Sequence, residues 1–261
     1  YAVYAHDHRG HGPNCKPEDL GFFAERDGWR KLLDDVDAVA ARIAADLPGV
    51  PRVYLGHSMG SFLGQRYLAE RGESLTAAVL SGTAGPPPAI LGIGRLIVAF
   101  ERWRLGPRGR SALVQALLFG EQNKPFRPAR TPYDWLSRDA AEVDKYVADP
   151  FCGFPLTNQL AADLAAALSD LASPALAARI PKSLPIYIFS GSRDPVGAKL
   201  QGLLDVYSAA GLDVTAKLYE GARHETLNET NRDEVTADLL AWLNARLQPA
   251  NSDSPPSTRS T

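Results

Sequence analysis

Methionine is almost absent from this chain: of 261 residues only Met59 is one, and cysteine occurs only at Cys15 and Cys152. Two cysteines cannot build the disulfide framework of a small secreted domain, so free thiols in a reducing compartment, the cytoplasm, are expected. No apolar run approaches the ~18 residues a membrane-spanning helix needs. Charge of one sign is also missing: 28 basic and 30 acidic residues leave a net −2, which supplies no field for holding nucleic acid. The chain does not open on methionine but inside an apolar run, Tyr1-Ala-Val-Tyr-Ala5. It reads as one that has lost its natural N-terminus, so a leader peptide cannot be judged from it.

What is present is an alternation of short β-like runs with helical patterns. Strands are expected at Ala2–Ala5, Arg52–Gly56, Ala77–Ser81, Leu184–Ser190 and Val214–Tyr219. Between them, Trp29–Asp46 carries Leu32, Leu33, Val36, Val39, Ile43 and Leu47 on one face, and Leu47-Pro48-Gly49 ends it. Further helices are expected over Ser58–Arg71, Val196–Ala209 and Arg232–Leu247. Such alternation specifies an α/β fold, a mainly parallel sheet with helices on both faces. It stops between residues 83 and 181, where Pro86-Pro87-Pro88 introduces apolar helical segments at Ile90–Trp103, Ala112–Phe119 and Leu156–Leu171. The expected division is a discontinuous core of residues 1–82 and 182–248, a helical cap over 83–181, and a Ser/Pro/Thr-rich disordered tail over 249–261.

Chemistry concentrates at Gly56-His57-Ser58-Met59-Gly60. A Gly-x-Ser-x-Gly pentapeptide matters where a strand runs into a helix, because a sharp turn there lifts the serine above the sheet. Here it follows the apolar Val53-Tyr54-Leu55 and opens a helix. The Met59 N–H, at the positive end of that helix, is the expected oxyanion donor. A serine hydroxyl needs a base to take its proton, and the base needs an orienting acid. Asp194 follows the strand ending at Ser190, and His224 follows Val214–Tyr219; the chain order is Ser58, Asp194, His224. His224 is also the only histidine after His57. Glu225 is a weaker candidate for the acid, since a neighbour in sequence cannot easily reach the same ring's Nδ1. His6-Asp7-His8-Arg9-Gly10-His11-Gly12 looks metal-like but lacks further ligands, so it reads as a turn, with no metal. His57 reads as packing beside the nucleophile.

Together, Asp7-His-Arg-Gly-His-Gly12, Gly56-His-Ser-Met-Gly60, Ser190-Gly-Ser-Arg-Asp-Pro-Val-Gly197 and His224-Glu225 resemble the lysophospholipase/monoacylglycerol-lipase branch of the α/β-hydrolase superfamily, which is grouped with serine aminopeptidase-like hydrolases. The segments 119–126, 134–139 and 149–154 resemble bacterial members, and the likeness runs to about Leu247. The resemblance implies an α/β-hydrolase fold with a helical cap, Ser58 as nucleophile, Asp194 as acid, His224 as base, and no cofactor. It also implies that Ala2–Ala5 is the family's fourth strand, so that the earlier strands and a loop carrying the second oxyanion donor are missing. A slot in the sheet between Ala2–Ala5 and Arg52–Gly56 is then expected, along with weak folding or activity of the chain as it stands.

The expected substrate is a small-molecule carboxylic ester, lipidic because the cap is rich in apolar side chains. Ile93, Ile97, Phe100, Leu117 and Phe119 are the candidates to line its acyl pocket. Arg95, Arg102, Arg104, Arg108 and Arg110 make the first part of the cap basic, which suits transient contact with a membrane surface. Alternatives are a non-lipid carboxylesterase, a thioesterase or amidase on the same fold, or a weakly catalytic binding module.

Overall fold

A computed structural model describes residues 1–247; the tail expected over 249–261 lies outside the described residues. Four strands form one parallel sheet in the order β1 (Val53–His57), β2 (Ala77–Ser81), β3 (Ile186–Gly191) and β4 (Val214–Tyr219). Parallel neighbours need crossovers, and these are helical. Helix α1 (Gly28–Asp46) precedes β1, α2 (Met59–Arg71) joins β1 to β2, α8 (Leu200–Ala209) joins β3 to β4, and α9 (Arg232–Leu247) follows β4. Between β2 and β3 stand α3 (Leu91–Leu105), α4 (Ala112–Phe119), α5 (Ala140–Ala148), α6 (Asn158–Leu168) and the single turn α7 (Pro174–Ala177).

The period-2 geometry of strands sorts the core into two layers. Ala78, Leu80, Ile186 and Ile188 face α2, α7 and α8, meeting Leu68, Ala177, Leu203 and Tyr207. Their alternates Val79, Tyr187 and Phe189 face α9, meeting Val235, Leu239 and Leu243. Burial on both sides explains why β2 and β3 read as unbroken apolar runs. A third cluster joins α1, α2 and α6 through Leu32, Leu33, Leu63, Tyr67 and Leu160.

One expected strand does not form. Ala2–Ala5 is irregular and exposed, because no described strand lies within reach to pair its backbone. An open cavity of about 450 Å³ separates residues 4–8 from β1, with Val36, Val39 and Ile43 of α1 as its far wall. Among the described residues the outer edge of β1 is therefore unpaired, and Leu55 in it is 47% exposed. Two helices, α5 and α7, were not expected; both are short, and α7 begins at Pro174 behind a Ser173 cap. No described helix is long and apolar enough to cross a membrane.

Candidate active site

Ser58 stands between β1 and α2 with φ 50° and ψ −119°, a conformation that costs a non-glycine residue about 1–3 kcal/mol. Neighbouring contacts enforce it. The Ser58 N–H donates to the Ser81 carbonyl at 2.9 Å, tying the turn to β2. The Ser58 carbonyl accepts from Ser61 N–H at 2.8 Å and from Ser61 Oγ at 2.6 Å. Tyr54 Oη donates to the Gly60 carbonyl at 2.7 Å. A Cβ on Gly56 would lie 2.4 Å from the Gly60 carbonyl oxygen, so the turn closes only with glycine there. Met59 begins α2, and the first N–H groups of a helix have no carbonyl of their own turn to bond.

Asp194 and His224 meet behind this turn, both buried. His224 Nδ1 lies 3.0 Å from each Asp194 carboxylate oxygen. Asp194 also accepts from Ser190 Oγ and from the Val196 N–H, each at 2.8 Å. Burial pushes its pKa up, but the His224 imidazole and these donors outweigh that and hold the carboxyl below its usual value. An ionised carboxylate only accepts, so Nδ1 carries the proton and Nε2 is left as an acceptor. Close approach of the two loops depends on Gly191, where a Cβ would lie 2.1 Å from the Ala222 carbonyl oxygen. Glu225, the weaker candidate for the acid, instead accepts from Asn228 Nδ2 at 3.0 Å.

The His224 ring is flanked by two others. His57 lies 4.8 Å from it and Trp135 5.0 Å. His57 Nδ1 sits 3.2 Å from Ser81 Oγ. Burial, with His224 beside it, pulls the His57 imidazole down to about 3, so it is neutral at physiological pH. Among the described residues no hydrogen bond joins Ser58 Oγ to His224. Both border one cavity of about 660 Å³, and such bonds are commonly long until substrate binds.

Ser58 also opens on a second cavity of about 530 Å³, walled by Pro86, Pro87, Pro88, Leu91, Leu118 and Phe119, with Leu160, Leu164 and Leu168 of α6. Of the five residues expected to line an acyl pocket, only Phe119 borders these cavities; Ile93, Ile97, Phe100 and Leu117 do not. Helix α3 turns Gly94, Val98 and Glu101 inward, at positions three and four residues apart. Ile93 and Phe100 are thereby placed on its exposed face with Leu96 and Trp103. Apolar composition alone does not say which side of a short helix the site lies on.

Two site neighbours escaped the sequence reading. Trp135 and His11 each border both cavities with Ser58. Neither has a sequence spacing that links it to the serine. Among the described residues no cluster of three or more His, Cys, Asp or Glu could hold a metal ion; His6 and His8 meet only ring edge to face.

A family model described as serine aminopeptidase, S33, matches residues 1–231. A monoacylglycerol lipase of Mycolicibacterium smegmatis is 31% identical over 251 residues, which is 94% of this chain and 79% of the relative. A monoglyceride lipase of Mus musculus is 30% identical over 267 residues, 97% of this chain and 77% of the relative. Among solved structures, a thermostable carboxyl esterase from Bacillus coagulans superposes with a TM-score of 0.85 at 26% identity, covering 93% of this chain and 80% of that one. A soluble variant of the Saccharomyces cerevisiae monoglyceride lipase, at 19% identity and a TM-score of 0.68 over 93% of this chain and 77% of that one, shares the fold.

Proposed function

Because the chain belongs to the serine aminopeptidase S33 family of α/β hydrolases and is a serine ester hydrolase, we propose that it cleaves monoacylglycerols through Ser58, His224 and Asp194. The observation that carries this reading is the buried His224–Asp194 pair sharing a cavity with a serine held on a strained turn. His224 Nε2 takes the Ser58 proton as Oγ attacks the ester carbonyl carbon. The Met59 N–H at the start of α2 stabilises the resulting oxyanion. The tetrahedral intermediate collapses with His224 donating its proton to the departing glycerol oxygen. Water, deprotonated by the same nitrogen, then attacks the acyl-enzyme, and His224 returns that proton to Ser58 Oγ as the fatty acid leaves. Asp194 fixes the ring's tautomer and stabilises its cation.

The two cavities suit the two halves of such a substrate. The 530 Å³ cavity, mainly apolar, takes the acyl chain. The 660 Å³ cavity offers Tyr133, Tyr146 and Gln115 to hydroxyl groups. Its wall includes Glu225 and no lysine or arginine, which favours an uncharged glycerol over a phosphate-bearing head group. In this reading the α3–α7 segment is a cap. The exposed face of α3, with Ile93, Leu96, Phe100 and Trp103 beside Arg95 and Arg102, rests transiently on the lipid surface that supplies substrate.

The test is turnover of monoacylglycerols and lysophospholipids of equal chain length, soluble and in anionic vesicles. Monoacylglycerol is expected to be preferred, and Trp103→Glu to slow the vesicle reaction alone. Preference for lysophospholipid sinks the head-group assignment. Full activity of Ser58→Ala sinks the mechanism.

A further inference from the structure

Glu229 is a carboxylate with no exposed surface, and nothing in the chemistry described above uses it. Four donors converge on it. Oε1 accepts from the Arg223 N–H at 2.8 Å and the Arg138 N–H at 3.0 Å; Oε2 accepts from Arg138 Nε at 2.8 Å and the Thr230 N–H at 3.0 Å. Burial works to raise its pKa, yet these bonds together hold it below the ordinary glutamate value, so it is charged at neutral pH. A buried charge with every oxygen bonded is costly to disturb, since removing one partner leaves the others unsatisfied.

The donors come from two segments that meet at the site. Arg223 immediately precedes His224. Arg138 ends the strap 134–138, which runs alongside the His224 loop. The His224 N–H donates to the Trp135 carbonyl at 3.3 Å and the Glu225 N–H to the Leu136 carbonyl at 2.8 Å. Ser137 Oγ donates to the Asn228 carbonyl at 2.9 Å, and Arg223 Nη1 donates to the carbonyls of Ser137, at 3.0 Å, and Asp134. The same strap carries the Trp135 ring that lies against His224 and borders both cavities. One carboxylate therefore fastens the loop bearing the imidazole to the strap that walls the substrate.

We infer that Glu229 is a positioning residue: it locks the His224 loop to the 134–138 strap, so that the imidazole is held between Asp194 and the reacting serine. The inference rests on His224 being the base of the proposed reaction. Misplacing a catalytic group by about 1 Å can cost about 10²-fold. Glu229→Gln keeps the shape but turns one acceptor into a donor facing two other donors. For a short soluble ester it is expected to lower kcat about 10- to 100-fold with KM within about threefold. A role through His224 also predicts non-additivity. In an Asp194→Asn background, where the imidazole has already lost its orienting partner, the same change is expected to cost less than about threefold.

An unchanged kcat per folded molecule, or the same fold-loss in both backgrounds, overturns the inference and leaves Glu229 a structural residue. Should Glu229→Gln fail to fold, Arg138→Ala carries the test. It deletes one of the four bonds from a partly exposed side chain, and the same pattern at smaller amplitude is required of it. Turnover by His224→Ala separates the two claims: if that variant retains activity, the proposed mechanism fails and not the positioning alone.

Discussion

The two sides of the sheet hold their halves of the site by different means. On the β3–β4 side every residue of Ile186–Gly191 is buried, and Asp194 and His224 sit in a lattice of bonds drawn from Ser190, Val196, the 134–138 strap and Glu229. On the β1 side only Gly56 is buried within the strand, and the outer edge faces an open cavity. Ser58 nonetheless has a defined geometry there, because most of its constraints are local: Gly56 against Gly60, Ser61 on the Ser58 carbonyl, Tyr54 on the Gly60 carbonyl. Ser58 is held mainly by its own short segment, with one tie to Ser81 of β2, and Asp194 and His224 by the tertiary structure. A motif can thus stay sharp beside loose packing, whereas a distributed network cannot.

The contrast is tested most severely at Asp194. Asp194→Asn should reduce turnover on the order of 10⁴-fold by presenting an amide to Nδ1 and favouring the wrong tautomer, while the folded state survives. Steady-state kinetics with circular dichroism checks this, and a loss below about tenfold would detach Asp194 from the base. Packing comes next. Ile188→Ala, at a fully buried position on β3, should cost about 2–5 kcal/mol in urea unfolding. Leu55→Ala on the half-exposed edge should stay within about 0.5 kcal/mol. Equal costs would mean that the two sides are packed alike.

The last test is in the pH dependence, and it belongs to the β1 side. The folded state holds His57 neutral down to about 3, against an ordinary value of 6.5. Below 6.5 the unfolded chain binds a proton that the folded chain does not, so stability falls with pH. The contribution is complete above 6.5 and is lost between 6.5 and about 3, at up to about 1.4 kcal/mol per pH unit. His57→Gln should remove one proton's worth of that slope in unfolding titrations. An unaltered slope would place the acid sensitivity elsewhere; His8, drawn down to about 4 by burial and by His6 and His11, is the next site to vary.

Much of this was legible in the residues, for physical reasons that can be named. β2 and β4 appear where their apolar runs stand, and α1 and α9 where period 3.6 and breakers put them, because those signals are set within a few residues. The same holds for the Ser58 turn. The chain order Ser58, Asp194, His224 could be read because each follows a strand, and parallel strands bring their C-terminal ends to one side. Ala2–Ala5 misled because its apolar pattern is that of a strand, while a strand exists only when another chain segment bonds it. Ile93, Ile97, Phe100 and Leu117 misled because a helix in an irregular insertion can turn either face to the site.

By itself, then, the sequence determined the α/β class, the turn at Ser58 and the choice of Ser58, Asp194 and His224 as candidates, since these rest on backbone propensity and chain order. Only the tertiary structure decided which apolar side chains wall the cavities, that Trp135 and His57 flank His224, and that Glu229 fastens its loop. Those facts depend on contacts between residues as much as 167 positions apart, where no local periodicity constrains the partner. The physical reason is the range of the forces: turns and helices are set by neighbours in the chain, and a buried charge by whatever donors the completed fold brings to it.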